Sequence, residues 1–317
     1  MSDVTQAAPL AGRARREKGE PLADYLVQAT TEDGSIRALV AVTTRLVEEA
    51  RARHDTAPTA TAALGRALTA AALLGATLKG EQTVTLRLIG DGPIGGIIVD
   101  ADAFGRVRGY AKNPEAELPP NAQGKLDVGG VVGREGYVYV TRDMGFGEPY
   151  TGSAPLVSGE VAEDVANYLL TSDQVPSAMA LGVLVDRGND VRAAGGCLLQ
   201  LLPQTDDDLR TDLEKNLAAL GAVSAAVDAG LTPEDILGRV LHGLPYRVLS
   251  QKPLTFQCTC SRERVLGVVA SLGRDEVRAM LVEDRGAELR CHFCNAVYQL
   301  TEEDLAAILA AKDQPSS

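Results

Sequence analysis

The chain has 317 residues, of which 45% are hydrophobic and 23% are charged, and its formal net charge is −12. This balance predicts a soluble, globular protein long enough for two domains, and it excludes a wholly disordered chain. An acidic chain repels the nucleic-acid backbone, and with no Trp and 4% aromatic residues it offers few platforms for stacking bases.

The N-terminal segment has no apolar stretch of the kind found in secretion signals, so residues 1–20 are predicted to be a disordered tail. The segment Thr59–Leu78 is long enough to be weighed as a membrane span, but Arg66 and the many alanines favour a helix buried in the core. We therefore expect a cytoplasmic protein without a membrane partner. In the cytoplasm, clustered cysteines indicate metal or redox chemistry rather than structural disulfides.

Residues 21–204 are predicted to form the core domain of an α+β protein. Strands are indicated by alternating apolar residues and by turn residues, and helices by capping residues. In chain order these patterns predict a hairpin of Tyr25–Ala29 and Ile36–Val40, helices at Leu46–His54 and from Pro58, strands at Val84–Ile89, Gly96–Ala101, Arg106–Ala111 and Gly136–Thr141, a helix capped by Ser158 that ends near Leu170, and a hairpin of Ala178–Asp186 and Val191–Leu202.

Residues 205–257 are predicted to be a helical connector. Its first helix, which we expect to run to Gly230, carries apolar residues spaced three or four apart: Leu209, Leu213, Leu217, Leu220 and Val223. Thr232 as cap and Pro233 at the first position begin a shorter second helix. Because such helices cannot bury their apolar stripes alone, the connector must dock on a neighbouring surface, from which it would also be able to undock.

Residues 258–317, here called the C-terminal module, contain four of the five cysteines, in two pairs separated by 30 residues. A strand through Leu254–Cys260 would point both sulfurs of the first pair in one direction, and a Cys-X-X-Cys turn is typical of zinc knuckles. The spacing predicts one structural zinc ion, with these ligands: Cys258, Cys260, Cys291 and Cys294. Four protein ligands leave no position for a catalytic water.

Other residues of the module were weighed as parts of this site. Arg262, Arg264 and Arg290 lie beside the cysteines in sequence and would stabilise their thiolates. His292 is an alternative ligand, although a solvated position in the turn is favoured. Two small disulfides in a secreted protein would be an alternative to the metal, but the missing signal argues against them.

Zinc would connect the stability of the module to its redox state. A module of about 60 residues has a small core, and zinc contributes on the order of 10–16 kcal/mol to the folding of such modules. Only thiolates bind zinc, so oxidation would remove the ligands and unfold the module. The connector would then lose its docking partner and expose its leucines.

Two further patterns were considered as catalytic or cofactor sites. Gly90–Gly95 matches the glycine pattern of dinucleotide-binding loops, but a strand rather than a helix is predicted next, which favours a simple turn. His54 is predicted at an exposed helix end, and Cys197 as a small buried residue. The three histidines show no nucleophile arrangement, so the sequence predicts a protein that is not an enzyme.

These features together resemble the redox-regulated holdase chaperones, the thirty-three-kilodalton heat-shock chaperonin family, over about residues 24–305. The most specific stretches are Cys258–Arg264 and Cys291–Cys294. Supporting stretches are Ala62–Arg66, Val107–Tyr110, Pro149–Gly152, Ser158–Asp164 and Pro176–Ala178.

The resemblance implies an inactive, reduced state in the cytoplasm with one zinc ion per chain. It further implies that oxidation forms the disulfides Cys258–Cys260 and Cys291–Cys294, releases zinc, unfolds the connector and produces a homodimer. The oxidised dimer would hold unfolded client proteins without ATP.

The alternative is a nucleic-acid-binding protein with a zinc ribbon. Residues 251–317 contain eight Lys or Arg and ten Asp or Glu residues, a balance that disfavours phosphate contacts.

Overall fold

The structure is a computed structural model that describes residues 23–202 and 207–312, so the tail predicted at residues 1–20 lies outside the described part. The fold is α+β, as predicted. The strands are β1 (Tyr25–Thr31), β2 (Ile36–Val42), β3 (Thr83–Gly90), β4 (Ile97–Asp102), β5 (Arg106–Ala111), β6 (Gly136–Asp143), β7 (Tyr150–Pro155), β8 (Ser177–Val185), β9 (Val191–Leu201), β10 (Tyr246–Pro253), β11 (Thr255–Phe256), β12 (Gly286–Arg290) and β13 (Val297–Thr301). The helices are α1 (Thr44–His54), α2 (Pro58–Gly75), α3 (Val128–Val132), α4 (Ala162–Thr171), α5 (Asp207–Leu220), α6 (Val223–Asp228), α7 (Pro233–Val240), α8 (Arg262–Ser271), α9 (Arg274–Ala279) and α10 (Glu302–Lys312).

Sheet A is antiparallel and has the strand order β10-β1-β2-β9-β8. Its two sequence-adjacent hairpins, β1–β2 and β8–β9, are the first and last hairpins predicted from the sequence. In the first turn Gly34 has a φ of 74°, and the Asp33 carboxylate accepts the backbone N–H of Ser35 at 3.0 Å. Glycine adopts this left-handed conformation at no steric cost, and an aspartate side chain accepts a backbone N–H two residues on. Both properties explain why Asp-Gly is common in tight turns.

Sheet B has the order β11-β5-β4-β3-β6-β7, and all its pairs are antiparallel except the short parallel pair β11–β5. Helix α2 packs against strands of both sheets, and every residue of it except Pro58 and Arg66 is buried. Small residues are needed there, since a Cβ added at Gly65 would lie 2.5 Å from a Val47 methyl carbon. The predicted core helix is thus confirmed. No helix within residues 23–202 and 207–312 is long and apolar enough to cross a membrane.

The cap predicted for α4 is wrong in its residue. The helix begins at Ala162 rather than at Ser158, after Val161, whose φ is 67°. The buried Asp164 carboxylate accepts the backbone N–H groups of Val157 at 2.7 Å and of Val161 at 2.9 Å, and those between them at Ser158 and Gly159. An acidic side chain in the first turn therefore replaces the predicted serine cap.

The connector forms three helices, α5, α6 and α7, which we call the connector helices. The predicted single helix to Gly230 is wrong, because Gly221, with a φ of 68°, separates α5 from α6. The second predicted helix is confirmed as α7, since Thr232 Oγ1 accepts the backbone N–H of Asp235 and Pro233 occupies the first position. The connector is not helical to residue 257, because β10 joins sheet A and β11 joins sheet B.

The connector helices cover one apolar face of sheet A, which we call the connector face. The buried residues of the helices are Leu213, Leu220, Val223, Ala226, Val227, Ile236, Leu237 and Val240. The buried residues of the connector face are Val27, Ala29, Ile36, Ala38, Val40, Val42, Ala193, Cys197 and Leu199. The opposite face of sheet A belongs to the larger core that α2 shares with sheet B.

The C-terminal module has a small core of its own. Five buried residues form it, with partly buried neighbours around them: Val269, Val277, Leu300, Leu305 and Ile308. They come from α8, α9, β13 and α10, and none of them belongs to the two larger clusters. The module therefore contributes little hydrophobic stability, in keeping with a need for another source of folding energy.

Candidate metal centre

The four module cysteines lie on two loops. Cys258 and Cys260 lie between Phe256, the last residue of β11, and α8. The strand predicted through Leu254–Cys260 therefore ends four residues before Cys260 and does not direct both sulfurs. Ser261 then caps α8 by accepting the backbone N–H of Arg264 at 3.3 Å. The loop and the helix start, rather than a strand, thus position the first pair.

Cys291 and Cys294 lie in the turn between β12 and β13. Two backbone hydrogen bonds close this turn: the Cys291 N–H donates to the Ala296 carbonyl at 2.9 Å, and the Asn295 N–H donates to the Cys291 carbonyl at 2.8 Å. Asn295 has a φ of 59°, a left-handed conformation that asparagine tolerates better than most residues. This geometry turns both sulfurs of the second pair toward the first loop.

All four sulfur atoms lie within 4.8 Å of one another. The Cys258 and Cys291 sulfurs are 3.7 Å apart, and the Cys260 and Cys294 sulfurs are 3.3 Å apart. Zn–S bonds of about 2.3 Å in a tetrahedron place sulfurs roughly 3.8 Å apart. The size of the cluster and its all-sulfur composition therefore fit one tetrahedral zinc ion. All five cysteines of the chain are free of disulfides.

The sulfurs of the cluster differ in acidity. Burial opposes ionisation of Cys258, but hydrogen bonds from the Cys260 backbone and from Arg108 outweigh it and lower the pKa of Cys258 to about 7. Burial raises the pKa of Cys291, and burial together with the neighbouring sulfurs raises the pKa of Cys294. Ionisation of one thiol, Cys258, is thus favoured, and ionisation of Cys291 and Cys294 beside it is disfavoured. A cation among the sulfurs would relieve this repulsion.

Arg108 and Tyr298 contact the cluster directly. Arg108 Nη1 lies 3.6 Å from the Cys258 sulfur, and the Tyr298 hydroxyl lies 3.0 Å from the Cys260 sulfur. The hydrogen bond to this sulfur raises the pKa of Tyr298 to about 12. Neither residue was assigned to the site from the sequence. Arg108 falls in Val107–Tyr110, one of the stretches that carry the family resemblance, but its role required the pairing of β5 with β11.

The arginines expected beside the sulfurs have other partners. Arg262 donates to the Gln299 carbonyl at 2.7 Å and to the Asp304 carboxylate at 2.6 Å. Arg264 donates to the Thr259 hydroxyl at 2.8 Å, and Arg290 donates to the Asn295 side chain at 3.2 Å. They brace the loops rather than donate to the sulfurs.

The second cysteine loop also contacts the core domain. His54 Nε2 lies 3.1 Å from the Phe293 carbonyl oxygen, and the Asn295 side-chain amide donates to the Arg53 carbonyl at 2.7 Å. The Tyr110 ring meets the Phe293 ring edge-on, with 5.4 Å between centroids. His54 is therefore half-buried against the second cysteine loop, and the prediction of an exposed helix end is wrong. Burial lowers its pKa.

The remaining candidates contribute no atom to the four-sulfur group. His292 is exposed and contributes no atom to the four-sulfur group. Cys197 is fully buried in β9, and this burial raises its pKa to about 12, as fits a small core residue. The glycine-rich segment Gly90–Gly95 leads into β4, so the helix that a dinucleotide site requires is replaced by a strand.

The family model described as Hsp33 protein matches residues 24–301. This chain belongs to the Hsp33 family. It is 55% identical over 288 residues to the 33 kDa chaperonin of Symbiobacterium thermophilum, with 90% of this chain and 97% of that protein covered. It is 51% identical over 286 residues to the 33 kDa chaperonin of Desulforamulus reducens, with the same coverage.

A solved member of the Hsp33 family shares the fold. The crystal structure of the 33 kDa chaperonin of Thermotoga maritima superimposes with a TM-score of 0.86 at 34% identity, and the match covers 92% of this chain and 99% of that one. The chain is therefore a chaperone-family protein whose four-cysteine cluster is consistent with zinc, redox and stress-response chemistry. All three relatives are named as 33 kDa chaperonins.

Proposed function

We propose that this chain is a redox-regulated, ATP-independent holdase that prevents the aggregation of unfolded proteins in the cytoplasm. It would have four parts: a tail (1–20), a core domain (21–204), a redox-sensitive connector (205–257) and a zinc-binding switch domain (258–317). The observation that carries the proposal is the pairing of two features in one chain. A four-sulfur cluster lies in a module with a small core, and an apolar face of sheet A lies beneath the three connector helices.

The reduced state is proposed to bind one zinc ion through Cys258, Cys260, Cys291 and Cys294. When bound, zinc would tie the two cysteine loops together and supply on the order of 10–16 kcal/mol of folding free energy. The first loop also joins the core, because β11 pairs with β5 directly before Cys258. The module and the connector are thus consecutive in the chain and attached to the same core.

Oxidation is proposed to form the disulfides Cys258–Cys260 and Cys291–Cys294. For each disulfide, two thiolates lose two electrons to a peroxide, which is reduced to water, and no thiolate is left to bind a metal. The family resemblance supports this pairing. The closest sulfurs belong to different loops, at 3.7 Å and 3.3 Å, but in a compact tetrahedral group every sulfur is within 4.8 Å of the others, so these distances do not select the pairs.

The connector helices are proposed to undock when the module unfolds. Their stripe of apolar residues would then leave the connector face, and both surfaces would meet solvent. An exposed apolar face of this kind is what an unfolded client, itself rich in exposed apolar side chains, would bind. The family resemblance supports dimerisation of the oxidised chain, and the same resemblance supports a function without catalysis.

Light scattering of a heat-unfolding client tests the proposal. Reduced, zinc-loaded protein is compared with protein treated with peroxide and warmed, and zinc release is followed with a coloured chelator. Suppression by the oxidised sample alone is expected. If both samples suppress client aggregation equally, or neither does, the cluster stabilises the module but does not act as a redox switch. Mass spectrometry of peptides from the oxidised protein identifies the disulfide pairs.

A further inference from the structure

One charged side chain of sheet B, Arg108, contacts the cysteine cluster directly. Arg108 lies in β5, opposite Asp100 in β4, and it donates to the Asp100 carboxylate through Nε at 3.0 Å and Nη2 at 2.8 Å. Thr85 donates to the other oxygen of Asp100 at 2.7 Å. The guanidinium is therefore held in one orientation by sheet B, with its Nη1 directed away from the sheet.

The free side of the same guanidinium meets both cysteine loops. Nη1 donates to the Thr259 hydroxyl at 2.9 Å and approaches the Cys258 sulfur at 3.6 Å, and the Phe293 ring lies 4.2 Å from Cζ. Within the described core, residues 23–202, Arg108 is the residue that hydrogen-bonds a cluster sulfur. With 24% of its side chain exposed, this contact is partly shielded from water.

Three other contacts across this boundary do not depend on the charge of the sulfurs. His54 and Asn295 make hydrogen bonds to backbone carbonyls, and Tyr110 packs against Phe293. Arg53 also lies near the cluster, but it pairs with Glu49 at 2.6 Å and stacks on Phe256 at 5.3 Å. Arg53 therefore interacts with the charge of Cys294 and Cys258 only through space. Arg108 also hydrogen-bonds the Cys258 sulfur, so the strength of its contact follows the chemical state of the cysteines most directly.

We propose that Arg108 senses the charge of the cysteine cluster, so that it holds the C-terminal module on sheet B while the sulfurs are thiolates and releases it when they are disulfides. This inference rests on the proposed redox switch. Two thiolates, one hydrogen peroxide molecule and two protons give one disulfide and two water molecules, so two such reactions leave no thiolate. Arg108 then faces neutral sulfur and keeps only Asp100 as a charged partner.

The release is expected at the junction of β11 and β5, next to Cys258. There the backbone N–H of Thr255 donates to the Gly105 carbonyl at 3.0 Å, and that of Gln257 donates to the Val107 carbonyl at 2.9 Å. With only two residues in β11, this junction is too short to persist alone. The exchange of these two amides with solvent deuterium therefore reports whether the module is docked.

The test compares the full-length wild-type protein with R108Q, R108K and R87Q, each reduced and zinc-loaded and then oxidised with hydrogen peroxide. Arg87 is the matched control, because it lies in β3 of the same sheet and stacks on Tyr139 at 4.9 Å, away from the cysteines. In the reduced state we expect R108Q to speed exchange of the two amides by roughly tenfold or more, R108K by less, and R87Q not at all. Unchanged protection of β3 and β6 shows that each variant is folded.

The reduced R108K variant distinguishes a charge sensor from a structural brace, because lysine keeps the positive charge but loses the fork of hydrogen bonds, so a brace would make R108K exchange as fast as R108Q. If Arg108 acts through the thiolate charge, wild type and R108Q exchange equally fast once oxidised, because the interaction is already lost. A difference that persists after oxidation, or wild-type exchange in reduced R108Q, overturns the proposal. This experiment measures amide exchange and not client aggregation. If the protein fails to suppress aggregation in the light-scattering assay, the proposed function is refuted, but the exchange result for Arg108 is unaffected.

Discussion

Weakening the connector helices should activate the protein without oxidation. Ile236 in α7 is fully buried against the connector face, and it has no role in the metal centre. Replacing it by alanine removes apolar contacts and leaves a cavity, at a cost of about 2–5 kcal/mol. If this cost falls on docking of α7, the ratio of undocked to docked connector rises by roughly 30-fold to 5,000-fold.

The assay is client light scattering with reduced, zinc-loaded I236A. We expect partial suppression of aggregation while the zinc content stays at one per chain. The matched control is I97A, because Ile97 is equally buried but lies in β4 of sheet B, away from the connector. Loss of amide protection in α7 without any suppression would refute the reasoning, since the uncovered connector face would then not bind clients. Suppression by I97A to the same degree would show that general instability is enough.

Three further outcomes are expected. The C258S variant should lose stoichiometric zinc, as measured with a chelator, because a serine hydroxyl is a poor replacement for a thiolate; retention of one zinc per chain would contradict the ligand set. Cys197, whose pKa is raised to about 12 by burial, should resist iodoacetamide at pH 7.5 in native protein, and C197A should keep the redox response. Burial raises the pKa of Asp24 from 3.8 to about 6, so its contribution to the free energy of unfolding should fall by roughly 3 kcal/mol as pH rises from below 4 to above 6. The free energy of unfolding of D24N, measured with urea, should not show this fall with pH. If D24N and the wild-type protein show the same dependence on pH, Asp24 is not its source.

The local features of the fold were predictable because their causes are local. Hairpins β1–β2 and β8–β9 follow from alternating apolar residues around a turn, and α7 follows from Thr232 and Pro233. The predicted convergence of four cysteines needed only their spacing. By contrast, β10 was missed because its residues are mostly exposed and its partner, β1, lies more than 200 residues earlier in the chain.

The surroundings of the cluster also depend on a long-range pairing, that of β11 with β5. Arg108 reaches Cys258 only because β11 pairs with β5, and these two residues are 150 positions apart. Arg262 is adjacent to the first cysteine pair in sequence, but as the first residue of α8 it donates to the Asp304 carboxylate instead of to a sulfur. The sequence predicts His54 at an exposed helix end because its partner, the Phe293 carbonyl, lies 239 positions away. Contacts between segments so far apart in the chain leave no periodic pattern of residues from which they could be predicted.

The position of β10 gives the connector two fixed ends. Residues 202–245 leave sheet A at β9 and return to it at β10, three strand positions away, or roughly 14 Å at normal strand spacing. Unfolded connector helices would therefore form a tethered loop over the surface they had covered. A bound client would compete with an intramolecular ligand whose effective concentration is on the order of millimolar. The same tether would displace the client and restore the resting state once the thiols are reduced again.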